Sequence, residues 1–192
     1  MNFNRYIKLF TEDFQQPVSY LIPAVFYSAI LVTLFLILRR SYSKESGHRM
    51  AGVRLRNVAK PFVWVLFLSY MMILIQTVFF SREPGSRIAV SLKLFETWGT
   101  TPVMHAYFIE NIIMFIPLGI FLPALFRKMR KVWCCVPFAF VCSCAIEIAQ
   151  YVTGRGYLQV DDIMTNTAGA LIGWLVWILL HFCSQNRKNV IQ

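Results

Sequence analysis

Long apolar runs alternate with short polar connections along this chain. Val18 to Leu38 and Pro61 to Phe80 contain no charged residue. Tyr107 to Phe126 contains only Glu110, and Val132 to Val152 only Glu147. Ile163 to Phe182 has no formal charge, with Asn166 near its start and His181 near its end. Roughly 20 apolar residues cross the hydrocarbon core of a bilayer, and without water to satisfy the backbone each such run folds as a helix. The pattern therefore predicts an all-α polytopic membrane bundle of about five transmembrane helices over residues 18–182, placed in the cell membrane. Residues 183–192 form a polar tail. In residues 1–17, Phe3, Tyr6, Ile7, Phe10 and Phe14 recur at near-helical spacing, which suits either an in-plane interfacial helix or a disordered tail. That segment lacks the apolar centre of a cleavable signal peptide.

The connections set an orientation. Arg39 to Lys60 carries seven basic residues, Arg127 to Lys131 four, and the tail pair Arg187 and Lys188 two, thirteen on one side. The other side carries six: Arg5, Lys8, Arg82, Arg87, Lys93 and Arg155. Basic residues collect in cytoplasmic loops, so the N-terminus and the connections 81–106 and 153–162 are expected outside and the C-terminus inside. Connection 81–106 opens with a Pro84-Gly85 turn. Ile88, Val90, Leu92 and Leu94 then alternate at period two, as in a short strand or a segment resting on the membrane.

Ionisable residues within a span are costly and mark a functional site by default. Here they share one depth. Glu147 lies five residues below the outer end of the fourth span, roughly 8 Å at about 1.5 Å per residue. The fifth span begins with Asp161 and Asp162, and Asn166 follows one turn deeper. Glu110 and Asn111 fall in the first turn or two of the third. Glu147 and Gln150 share a face at i,i+3. Asp162, Asn166, Gly169 and Gly173 follow at steps of four, three and four, a single stripe whose small-x-x-x-small pair admits a close neighbouring backbone, within the chain or between chains. In Gly154-Arg155-Gly156 a tight turn would keep the guanidinium near the carboxylates, where its fork suits a bidentate pair. Pro117 and Gly119 read as a kink and close-packing element of the third span.

Composition narrows the function. The net charge of +10 flanks apolar runs, which orientation in a membrane explains without nucleic acid. Cys134, Cys135, Cys142, Cys144 and Cys183 all sit within or at the ends of apolar segments, as packing residues rather than a disulfide framework. No His/Cys set has metal-ligand spacing and no nucleophile of recognisable type is present, so no metal or cofactor is assigned.

Two blocks resemble the VanZ-like family. Glu110-Asn111-Ile112-Ile113-Met114-Phe115-Ile116-Pro117-Leu118-Gly119 is similar to its first signature. Glu147-Ile148-Ala149-Gln150, Gly154-Arg155-Gly156, Asp161-Asp162 and Asn166-Thr167 with Gly169 and Gly173 resemble the second. Order and spacing agree over about 85–180. The resemblance implies a Gram-positive membrane protein linked to resistance to glycopeptide and lipoglycopeptide antibiotics such as teicoplanin. It carries over Asn111, Glu147, Gln150, Arg155, Asp162 and Asn166 as motif residues, to which the adjacent Asp161 is added as a ligand-binding candidate.

Three functions follow. The preferred one is binding or shielding: an outer-leaflet polar pocket holding a membrane lipid, a lipid-linked cell-wall precursor or the antibiotic. The alternative is a membrane enzyme acting on a lipid-linked envelope substrate, with Glu147 or Asp162 as general acid or base. A transporter ranks third, because five short-looped spans without an inverted repeat are few for alternating access.

Overall fold

The computed structural model describes residues 15, 17–45, 56–80, 84–85, 89–94, 98 and 101–190. The predicted N-terminal interfacial helix falls almost wholly outside them. Five helices organise the rest: α1 (Leu21–Glu45), α2 (Arg56–Ile75), α3 (Pro102–Leu125), α4 (Val132–Val152) and α5 (Val160–Val190). Five stretches are long and apolar enough to cross a membrane: Leu21–Leu38, Lys60–Phe80, which runs from α2 into the helical turn after it, Met104–Leu125, Val132–Val152 and Val160–Asn186.

Burial follows the logic of a lipid solvent. Large apolar side chains such as Ile22, Phe35, Phe62, Trp133 and Leu179 face outward, while Ser28, Ser69, Ser143, Glu147, Gln150, Asp161, Thr165 and Asn166 are buried. Lipid tails are as apolar as leucine, so helices associate through small residues and interhelical hydrogen bonds rather than by hiding apolar area. Ala24, Ser28 and Ser69 bring α1 against α2, and the Ser69 hydroxyl reaches Ala24 O at 3.4 Å. The Tyr70 hydroxyl donates to Met114 O at 3.0 Å, tying α2 to α3. Phe115, Leu118 and Leu122 of α3 pack with Cys135 and Ala139 of α4 and Ala170 of α5 to form the apolar core.

α3 and α5 make the closest approach. A Cβ built on Gly169 would overlap the carbonyl oxygen of Ile112, one on Gly173 that of Ile116, and one on Gly119 that of Ala170. The glycine pair therefore packs within the chain, with Gly119 as its counterpart on α3.

The two ends of the bundle differ. At one end a 3₁₀ turn, Arg127–Arg130, joins α3 to α4. Trp174 Nε1 donates to Arg130 O at 3.2 Å, and the Arg130 guanidinium lies 5.8 Å from the Trp177 ring centroid. The other end holds the start of α3, the end of α2, and the α4–α5 connection. There β1 (Val90–Ser91) pairs in parallel with β2 (Leu158–Gln159), Val90 opposite Leu158. The period-two segment is thus a strand for two residues. The Pro84-Gly85 turn is present, with Gly85 at φ +76°.

Candidate functional site

The site is built on α4. Its buried face is Cys135, Ala139, Ser143, Glu147 and Gln150, spaced at four, four, four and three. The helix closes with the hydrogen-bond pattern of a Schellman motif: Gly154 N–H reaches Tyr151 O at 3.1 Å and Arg155 N–H reaches Gln150 O at 2.8 Å. Gly154 has φ +64°, the left-handed conformation that this motif requires and that glycine adopts without a Cβ penalty. The tight turn expected from Gly154-Arg155-Gly156 is therefore a helix stop that aims Arg155 back across the bundle.

Its target is the end of α2, which widens into one turn of π-helix, Gln76–Phe80. The last carbonyls of a helix lack intrahelical partners. Here two side chains from elsewhere supply them. Gln150 Nε2 donates to Val78 O at 3.1 Å, and Arg155 Nη1 donates to Phe79 O at 2.7 Å. The guanidinium carbon also lies 5.5 Å from the Phe80 ring centroid, within cation–π range.

Glu147 holds the connection itself. Its Oε2 accepts the backbone N–H of Gln159 at 3.1 Å, while the neighbouring Leu158 N–H donates to Ala89 O at 3.0 Å. β2 is thus clasped between α4 and β1 immediately before α5 begins. On α5 the Thr165 hydroxyl donates to Asp161 O at 2.9 Å, and Asn166 Nδ2 donates to Ser143 Oγ on α4 at 2.9 Å. Asn166 is 2% exposed, and its Oδ1 has no hydrogen-bond partner among the described residues.

Two expectations need correction. The stripe Asp162, Asn166, Gly169, Gly173 is part of a broader buried face that includes Asp161, Thr165 and Ala170, while Asp162 itself is only half-buried. A single stripe presumes one partner helix, but α5 is wedged between α3, which meets the glycines, and α4, which meets Asn166. Asn111 also stands farther along its helix than expected. α3 starts at Pro102, with Thr101 as N-cap accepting the Met104 N–H at 3.4 Å, so Asn111 lies roughly 13 Å along the axis at about 1.5 Å per residue. There it precedes Ile112, whose carbonyl faces Gly169. Glu110 and Pro117 are half-buried on the same helix.

Ser143 was absent from the expected set, although its four-residue step to Glu147 was a signal. Among the described residues, no three His, Cys, Asp or Glu converge as a metal site, and all five cysteines are free.

Beside these contacts an open groove of about 580 Å³ is lined by Ile75, Phe79, Phe80, Pro84, Thr153 and Arg155. Arg155 is its one charged lining residue among those described.

Five helices long and apolar enough to span a membrane, with buried polar residues of α4 and α5 gathered where the two helices are joined, define a multi-pass membrane protein with a buried polar cluster. The family model described as VanZ/LLP1 matches residues 24–181, and the chain belongs to that family. A 67-residue stretch is 36% identical to Protein VanZ of Enterococcus faecium and covers 34% of this chain and 40% of that relative. No solved structure matches the chain.

Proposed function

We propose that this protein contributes to resistance to teicoplanin and related lipoglycopeptides by binding an envelope amphiphile at the outer face of the cell membrane. Three observations support this reading. The excess of basic residues at the opposite end favours an outward-facing polar end. Membership of the VanZ/LLP1 family and the relative from Enterococcus faecium favour an envelope role in a Gram-positive cell. The observation that carries most weight is the groove, a largely apolar surface with the fixed Arg155 guanidinium as its charged lining group among the described residues.

Its chemistry suits an amphiphile with an anionic or hydrogen-bond-accepting head, such as a lipid-linked wall precursor or the drug itself. In this arrangement Arg155 is the ligand contact in the groove, while the half-buried Asp162 and Asn111, outside its lining, are candidate contacts for the rest of the head. Glu147, Gln150, Asp161 and Asn166 are positioning residues that hold the surrounding helices. Binding is favoured over acid–base catalysis because Glu147 is buried and its Oε2 already accepts the Gln159 N–H.

The test is drug susceptibility in a sensitive Gram-positive host at matched membrane levels. Wild-type protein is expected to raise the inhibitory concentration of teicoplanin, with vancomycin little changed. Arg155→Gln and Asp162→Asn are each expected to abolish that increase, Arg155→Gln by lowering ligand affinity about tenfold, the scale of one lost charge-assisted hydrogen bond. Full resistance from both variants contradicts the proposal.

A further inference from the structure

A second cavity of about 220 Å³ adjoins the groove, sharing Ile75 and Phe79 as walls. It runs between α2, α3 and α4, with Leu74 and Val78 on one side, Phe115 on another and the small residues Cys142 and Ala145 on the third. Among the described residues, none that lines it is charged. Ala145 is exposed, so the crevice opens sideways onto the lipid-facing surface of α4. Pockets that enclose drug-sized ligands measure roughly 300–1,000 Å³. This crevice is smaller and wholly apolar, proportions that fit a hydrocarbon chain rather than a ring scaffold.

Its position beneath Arg155 gives the occupant a second property. A guanidinium has five N–H donors in a fixed fork, and the bond to Phe79 O uses one on Nη1. No bond among the described residues uses the other donors, which can serve an acceptor in the groove, and guanidinium geometry matches phosphate oxygens. That bond and the Phe80 ring together fix the guanidinium, so little side-chain freedom is lost when a phosphate arrives.

We propose that groove and crevice together form a site for one anionic phospholipid, with an acyl chain between α2, α3 and α4 and the headgroup phosphate on Arg155. The inference rests on the proposed binding role of this end and names the ligand class. A lipid of the ordinary annular layer would show no headgroup preference and no dependence on a single alanine. This site has both. It is loaded laterally from the leaflet that Arg155 faces, past Ala145.

The test uses the full chain purified in detergent and native mass spectrometry, titrating phosphatidylglycerol and phosphatidylcholine with identical acyl chains. Wild-type protein is expected to bind phosphatidylglycerol about tenfold more tightly. Arg155→Gln reduces phosphatidylglycerol to the phosphatidylcholine level. Ala145→Phe, which fills the crevice and leaves the Arg155 bond intact, removes tight binding of both lipids. Equal affinity for the two lipids in wild type, or unchanged phosphatidylglycerol binding by Ala145→Phe, overturns the inference. Susceptibility separates it from the proposed function. If Ala145→Phe loses the lipid yet keeps teicoplanin resistance, the lipid site stands and has no part in resistance. If resistance depends on Arg155 while wild type shows no headgroup preference, the lipid site falls and the function stands.

Discussion

Gly169→Val is expected to destabilise the bundle by about 2–4 kcal/mol, the upper range for overpacking a close-packed interior. The cause is geometric. The carbonyl of Ile112 occupies the space where a Cβ would go, and a helix backbone cannot yield as a flexible side chain does. α5 must move off α3, and that movement also draws Asn166 from Ser143 and the glycine ladder from Gly119. Gly173→Val meets the Ile116 carbonyl in the same way. The readout is the temperature at which the monodisperse size-exclusion peak is lost in detergent. Ala168→Val on the exposed face of the same helix is the control, with an expected change within about 0.5 kcal/mol. Equal stability of Gly169→Val and the control would show that α3 and α5 are not in backbone contact.

The second large effect is expected at Glu147. Glu147→Ala leaves the Gln159 N–H without its side-chain acceptor inside a buried cluster, at a cost of about 1–3 kcal/mol. The loss is local in origin but not in reach. The connection from Gly154 to Val160 aims Arg155 at the end of α2 and presents β2 to β1, so both α2's cap and the small sheet depend on it. Glu147→Gln keeps an oxygen of the same reach and is expected to retain most of the thermal stability. Faster hydrogen exchange at Leu158 and Gln159 in Glu147→Ala, but not in Glu147→Gln, is the local signature. If both variants exchange and melt alike, the clasp is not what holds the connection.

Much of this architecture was legible from residue patterns, and the gaps have physical reasons. The spans were legible because a bilayer demands both length and apolarity, which short windows reveal. The close approach of α5 was legible from Gly169 and Gly173, since small residues four apart open a groove on any helix. The identity of its partner was not, because Ile112, Ile116 and Gly119 lie on a helix apolar all round. The start of α3 was misplaced by following the apolar run from Tyr107 and passing over Thr101-Pro102, a cap and first-turn pair with its own signal. The π-turn at Gln76–Phe80 has no local signature, because its carbonyls are satisfied by residues more than seventy positions away. The contacts of Glu147 with Gln159, Gln150 with Val78 and Asn166 with Ser143 were not legible, because each joins residues from different elements of the fold.

The central claim is that the groove beside Arg155 faces outward, where an envelope amphiphile can reach it. Thr153 is exposed and lines that groove. In a chain with its native cysteines replaced by alanine or serine, Thr153→Cys provides a single reporter. Intact cells are treated with a membrane-impermeant maleimide before and after permeabilisation. The account predicts labelling in intact cells, suppressed by prior treatment with a second impermeant thiol reagent. Labelling that appears only after permeabilisation places the groove on the cytoplasmic side and contradicts the account.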